Sequence, residues 1–250
     1  MGKKKKNAVT QQPGKEIVMM PRPEPIPGCP PGLEYLTAVD QLICKQEVNF
    51  LEALLGFEAA NKYKIFNTLE QQVYTCLEES DACNRNCWGP QRGFVFHIVD
   101  NNNQEVMLVD RPFRACSGCC CCADGCCLYP IFVRDRTGNH LGMIRMMNSK
   151  CKPHFGIFDA NGDLLYEIWG PACTCSCGGE IPFPIRSVRD GSQVGGVTKV
   201  WAGALREFLS DADTYSVTFP MNLDVKHKAL IFACFILIDF SLFETDKNDN

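Results

Sequence analysis

The chain has 250 residues, 46% of them hydrophobic and 22% charged, which is too apolar for a disordered protein and ordinary for a folded one. The length accommodates one large or two small domains, and an all-β barrel of this size counts as one. The formal net charge of −4 argues against a nucleic-acid partner, and the charge is uneven: residues 1–28 carry six basic and two acidic side chains, leaving −8 for the rest.

The N-terminus, Met1-Gly2 followed by Lys3, Lys4, Lys5 and Lys6, has no apolar segment behind it of the kind a secretory signal needs. The expectation is a cytosolic setting in which thiols stay reduced. Gly2 does not make a good myristoylation site, because Lys6 stands where Ser or Thr is wanted. Residues 1–32 read as an extended basic tail, since Pro13, Pro21, Pro23, Pro25, Pro27, Pro30 and Pro31 remove backbone donors and disfavour helix. One PxxP match, Pro27 to Pro30, is a candidate ligand for an SH3-type partner.

The folded part begins near Leu33, and its patterning is mostly period two. Residues 38–55 fit helix or strand equally. Phe94, Phe96 and Ile98 mark one face of a strand. Ile157 and Asp159 lead into Asn161-Gly162, a turn favouring positive φ, and Leu164, Tyr166 and Ile168 mark the return strand. Thr137-Gly138-Asn139 and Arg189-Asp190-Gly191 punctuate further short strands. Many short strands with such turns imply an antiparallel sandwich or barrel.

The seventeen cysteines call for metal, acylation or core filling. The densest run is Cys116, Cys119, Cys120, Cys121 and Cys122, followed by Cys126 and Cys127. Cys116 and Cys119 have the spacing of half a zinc site that Cys83 or Cys173, Cys175 and Cys177 would complete, but four consecutive cysteines cannot all face one ion. Acylation suits the run better, with Lys3–Lys6 as the second membrane signal at about 1 kcal/mol per basic residue on an anionic leaflet.

An internal echo runs through the chain. Tyr63-Lys64-Ile65-Phe66-Asn67 resembles Phe155-Gly156-Ile157-Phe158-Asp159, each is followed at equal distance by Tyr74 or Tyr166, and each leads to Trp-Gly-Pro, at 88–90 and 169–171. The reading is two related half-barrels closing on each other.

Residues 211–222 place Asp211 and Asp213 at positions 1 and 3 of a twelve-residue segment that also holds Tyr215, Val217, Phe219 and Asn222. Calcium wants six to eight oxygens, and position 6 lacks Gly while position 12 lacks Glu, so any site is weak. The residues alone favour a turn leading into a strand over Tyr215–Phe219. Residues 229–243 are the most apolar stretch, with Phe232, Phe235 and Ile238 prominent and Asp239 inside it. Fifteen helical residues span about 22 Å against a bilayer core of about 30 Å, so a helix buried in a barrel is favoured over a membrane span. Residues 246–250 form a short acidic tail.

Together these motifs resemble the phospholipid scramblase family. The resemblance runs from Pro30-Pro31-Gly32-Leu33-Glu34-Tyr35-Leu36 to about Glu244, through Leu55-Gly56-Phe57-Glu58, Asn86-Cys87-Trp88-Gly89-Pro90, Arg111-Pro112-Phe113-Arg114 and Gly170-Pro171-Ala172-Cys173. Its most specific part is Asp211-Ala212-Asp213, then Phe219-Pro220-Met221-Asn222-Leu223-Asp224-Val225-Lys226, then Ile238-Asp239-Phe240. The resemblance implies a mainly β, Tubby-like fold, a closed antiparallel barrel around an apolar C-terminal helix, over residues 33–245. It also implies Ca²⁺-dependent, ATP-independent movement of phospholipids between leaflets, palmitoylation within Cys116–Cys122, and a calcium segment at Asp211, Asp213, Tyr215, Val217, Phe219 and Asn222. Asn222 departs from the family, where the last position is Asp in some members. Only Lys199 is basic within residues 196–203, so nuclear import through that stretch is not expected.

Three functions are compatible with these residues: a lipid scramblase without covalent chemistry, a peripheral lipid-binding adaptor, and a zinc-dependent structural protein. The first two place the chain at the cytosolic face of the plasma membrane, acylated or single-pass. Headgroups need a polar path across the hydrocarbon, so direct scrambling by one short helix requires homo-oligomers or bilayer thinning.

Overall fold

The computed structural model describes residues 17–47, 60–114, 129–150, 152–174, 179–200 and 213–244. The period-two segments form β1 (Gln41–Gln46), β2 (Lys62–Phe66), β3 (Gln72–Glu79), β4 (Phe94–Asp100), β5 (Glu105–Arg111), β6 (Pro130–Asp135), β7 (His140–Met146), β8 (His154–Asp159), β9 (Leu164–Trp169), β10 (Ile181–Ser187), β11 (Gln193–Val200) and β12 (Thr214–Thr218). Each pairs antiparallel with its neighbours in chain order, and β1 pairs with β12, so the sheet closes into a barrel. β4 alternates buried and half-buried residues along its whole length, as a wall with one apolar face requires. Pro182 and Pro184 are tolerated in β10 because that part of the strand pairs with β11 alone; β9 pairs only from Ile185 onward.

Four hairpin turns share one device. Asn67, Asp100, Asp135 and Asp159 each accept, through one side-chain oxygen, the backbone N–H groups two and four residues ahead. These Asx turns and the β10–β11 turn lie at one end of the barrel, here the turn end. Strand alternation puts the remaining connections at the other end, the loop end.

The internal echo is a pairing of strands across the barrel. β2 and β3 correspond to β8 and β9, six strands away in a twelve-strand ring. Both pairs carry a register shift at the same place, between Ile65 and Phe66 and between Ile157 and Phe158. The two halves therefore repeat around the barrel axis.

Twelve strands about 4.8 Å apart and tilted about 40° enclose a wall about 24 Å across, wider than side chains alone fill. The space is occupied by α2 (Val225–Leu242), which follows the short α1 (Ala82–Trp88) in chain order. Every residue from Lys228 to Phe240 is buried, so the helix is apolar on all faces because all faces meet the wall. It starts four residues earlier than the apolar run suggests. Asp224 caps it, accepting from the N–H groups of Lys226 and His227. No helix among the described residues is long and apolar enough to cross a membrane.

Within the ambiguous stretch 38–55, a 3₁₀ turn at Leu33–Ala38 leads directly into β1, and residues beyond 47 lie outside the described set. Of the tail, residues 17–32 lie against the barrel. The N–H of Met20 donates to the carbonyl of Gln72, whose own N–H donates to the carbonyl of Val18, each at 2.8 Å. Met20 and Cys29 pack on the core. The Pro27–Pro30 segment is not an extended polyproline ligand: the chain turns at residues 26–29, with Gly28 at φ +82, and Pro30 is buried.

Candidate functional site

The C-terminal half of α2 is fastened to the wall by buried ionisable groups. Tyr215 on β12 donates to Asp239 at 2.6 Å, and Tyr63 on β2 donates to the other carboxylate oxygen. Burial raises the Asp239 carboxyl to about 6, with Asp213 adding like charge and the two phenols opposing. One turn on, Glu244 accepts from Arg92 at 2.7 Å, and Arg92 also makes a two-pronged pair with Glu78 at 2.7 and 3.0 Å. Burial carries Glu244 up to about 7 against the pull of Arg92. Arg111 lies among the rings of Phe94, Tyr129 and Phe240 at 4.2 to 4.7 Å and donates to the carbonyl of Arg92. Burial lowers it to about 10. Sequence reasoning missed this network. Glu244 is 152 residues from Arg92 in the chain, and no local pattern marks the three as partners.

The N-terminal half of α2 is held by a cation. Lys228 donates to the carbonyls of Leu36, Val39 and Met221 at 2.8 to 2.9 Å, which satisfies all three of its protons. Phe232, Phe235 and Ile238 fill the barrel, with Phe235 edge-on to Tyr63 at 5.2 Å.

The residues of the calcium segment do not converge. Asp213, at the loop end, pairs with the buried Lys199 at 2.8 Å. Tyr215, Val217 and Phe219 alternate inward into the core, and the phenol of Tyr215 is spent on Asp239. Asn222 is exposed in the turn before α2, at the opposite end of the barrel. Five residues of strand separate them by about 17 Å, whereas Ca²⁺ ligands lie 2.3–2.6 Å from the ion. The described members therefore do not fit one ion. Asp211 lies outside the described residues, as do Lys3–Lys6, Cys116, Cys119, Cys120, Cys121 and Cys122.

Lys199, the one basic residue of the 196–203 stretch, is a core cation 4.0 Å above the ring of Phe243. Of the proposed zinc ligands, Cys83 sits on α1 with its sulfur 3.9 Å from that of Cys87 one turn on, and Cys173 is exposed; Cys175 and Cys177 lie outside the described residues. Among the described residues no group of three or more His, Cys, Asp or Glu is arranged to hold a metal.

Chain topology adds one regularity. Thirteen of the seventeen cysteines fall in connections that leave and re-enter the wall at the loop end; the others are Cys29, Cys44, Cys76 and Cys234. The same end carries the aromatic residues Trp88, Phe113 and Trp169, each about 40% exposed.

The family model described as Scramblase matches residues 20–245. The chain is 43% identical over 229 residues to phospholipid scramblase 1 of Homo sapiens, covering 92% of this chain and 71% of that protein. It is 40% identical to phospholipid scramblase 2 of Bos taurus, covering 96% and 82%. It is 35% identical to phospholipid scramblase 4 of Homo sapiens, covering 94% and 73%. No solved structure matches the chain.

Proposed function

The chain belongs to the phospholipid scramblase family, and on that premise we propose that it moves phospholipids between membrane leaflets without covalent chemistry. The observation that carries the reading is the family match over almost the whole barrel and its central helix. The finer parts are Ca²⁺ dependence, ATP independence and attachment to an anionic cytosolic leaflet. The sequence has no Gly-rich phosphate loop, which supports ATP independence. Attachment is assigned to acyl chains on Cys116–Cys122 together with Lys3–Lys6. One chain alone binds only marginally, so two signals are required. The calcium-binding groups are assigned outside the set Asp213–Asn222.

The barrel interior is packed with α2, so it offers headgroups no polar route. Lipid movement is therefore assigned to the bilayer around the protein, through thinning or oligomers. The same observation favours a second reading, a lipid-binding adaptor without transport of its own. Proteoliposomes containing only the full chain decide between them. Dithionite access to labelled inner-leaflet lipid, measured with and without Ca²⁺ and without ATP, rises under the first reading and stays at the empty-vesicle level under the second. Changing Cys119–Cys122 to Ala should shift much of the protein out of the membrane fraction; unchanged, salt-resistant fractionation would oppose acylation.

A further inference from the structure

We propose that the loop end of the barrel is the face that docks on a phospholipid bilayer, with Trp88 and Trp169 as paired interfacial anchors. This rests on the membrane reading above and adds an orientation to it. Both tryptophans belong to the repeated Trp-Gly-Pro corners, one after β3 and one at the end of β9. Trp88 packs on Phe113 just past β5 and Trp169 ends β9, four strands away in the ring of twelve, so the two indoles lie at well-separated points of the barrel mouth.

Each ring is held in place yet open to solvent. Trp88 is 39% exposed and rests edge-on against Phe113, itself 43% exposed, with centroids 4.8 Å apart. Trp169 is 41% exposed and stacks on the imidazole of His154 at 3.7 Å. The second corner is pinned behind it: the N–H of Gly170 donates to the carbonyl of Pro153, and a Cβ at Gly170 would lie 2.7 Å from the ring of Phe183. A rigid, half-exposed indole loses little entropy on burial and suits the headgroup layer, where one edge stays wet and the rest is apolar. Two such anchors at separate points of one mouth turn the loop end toward the bilayer.

The other end carries both signs: exposed Arg136, Arg189 and Lys226 stand among its carboxylates, of which Asp100 and Asp135 are buried. The turn end carries Asp100, Asp135, Asp159 and Asp190 in its turns, with Asp163 exposed beside them. Turn hydrogen bonds hold Asp135, Asp159 and Asp190 below the usual carboxylate range, so they stay ionised. The loop end presents Arg114, Lys150 and Lys152 as exposed cations beside exposed Glu79, Asp81 and Glu180, so the choice of this end rests on the two indoles and on the cysteine-bearing connections there. Exposed Leu69, Val188 and Met221 at the turn end, with Val18 and Met19 beside Gln72, form the competing apolar surface.

The test uses the full chain purified from eukaryotic cells, with Trp201→Phe leaving only Trp88 and Trp169 to fluoresce. The probe is vesicles of phosphatidylcholine and phosphatidylserine, with and without bromine on the acyl chains. Expected results are a blue-shifted emission on binding and at least about twofold quenching by the brominated lipid. Trp88→Ser with Trp169→Ser should weaken vesicle partition by about tenfold at unchanged melting temperature. Bound protein whose rim tryptophans are unquenched, while a Met221→Trp reporter in a tryptophan-free background is quenched, overturns the proposal and leaves membrane binding intact. Failure of the unsubstituted full chain to bind vesicles overturns the membrane reading as well.

Discussion

Tyr215 and Asp239 are joined by a 2.6 Å hydrogen bond inside the barrel, linking β12 to the helix that follows it. With Tyr63 on the other oxygen, the carboxylate is held by two phenols. A carboxylate in apolar surroundings is costly when ionised, and the consequence is a particular pH dependence.

Asp239 is raised from 3.8 to about 6 and Glu244 from 4.5 to about 7. A raised folded pKa means the folded state holds its proton more tightly than the unfolded chain, so the stability gained is full below the ordinary value and lost as pH rises through the raised one. The thermal midpoint should therefore rise as pH falls from 8 to about 5. It should fall again in stronger acid, as Glu78 and Asp135, which their partners hold low, take up protons. Asp239→Asn should flatten the part of the profile between pH 4 and 6. Circular-dichroism melts at constant ionic strength check this; a midpoint that declines steadily from pH 8 to 5 contradicts it.

Phe235→Asp should unfold the domain. Phe235 is fully buried against Tyr63, Tyr215 and Phe232, and a carboxylate there would meet only phenols already committed to Asp239. A folded variant with native melting temperature would place the helix outside the barrel.

Lys228→Met keeps the volume and the apolar stem but strands three carbonyls, on Leu36, Val39 and Met221. The expected loss is about 3–5 kcal/mol of unfolding free energy, read by urea denaturation. A loss below about 1 kcal/mol would show that water reaches those carbonyls.

Asn222→Asp restores a carboxylate at the last position of the calcium segment. Because Asn222 and Asp213 sit at opposite ends of β12, it should change Ca²⁺ affinity by less than about twofold. Calorimetric titration of the two proteins reads this directly. A marked tightening would mean that the segment folds around the ion in another conformation.

The parts of the fold carried by short-range signals were legible. Asn161-Gly162 marks a turn because its backbone needs positive φ at Gly162, and the wall strands show their alternation openly. The repeat of Trp-Gly-Pro identified two halves because the same corner recurs with the same residues. The start of α2 was hidden by Lys226, His227 and Lys228, which look like solvent-facing residues; Lys228 is buried because three carbonyls converge on it. In residues 211–222 the motif and the strand compete for the same residues. The alternation of Tyr215, Val217 and Phe219 was the true signal, since the inward-facing Val217 and Phe219 side chains carry no ligand oxygen and the Tyr215 phenol is spent on Asp239. The Glu78–Arg92–Glu244 network had no local signature, because its members come from two wall segments and the chain beyond the helix.

The order of elements along the chain has a consequence for synthesis. The filler of the barrel, α2, is made after all twelve strands, and the closing pair β1–β12 joins the first strand to the last. An emerging chain therefore holds a curved, unclosed sheet whose apolar face has nothing to cover it. Pairing of such distant segments is slow, and open edges with an apolar face are prone to aggregate. Folding thus depends on sheltering a hollow precursor until α2 has been made, and truncations that remove α2 should be cleared by quality control as unfolded protein.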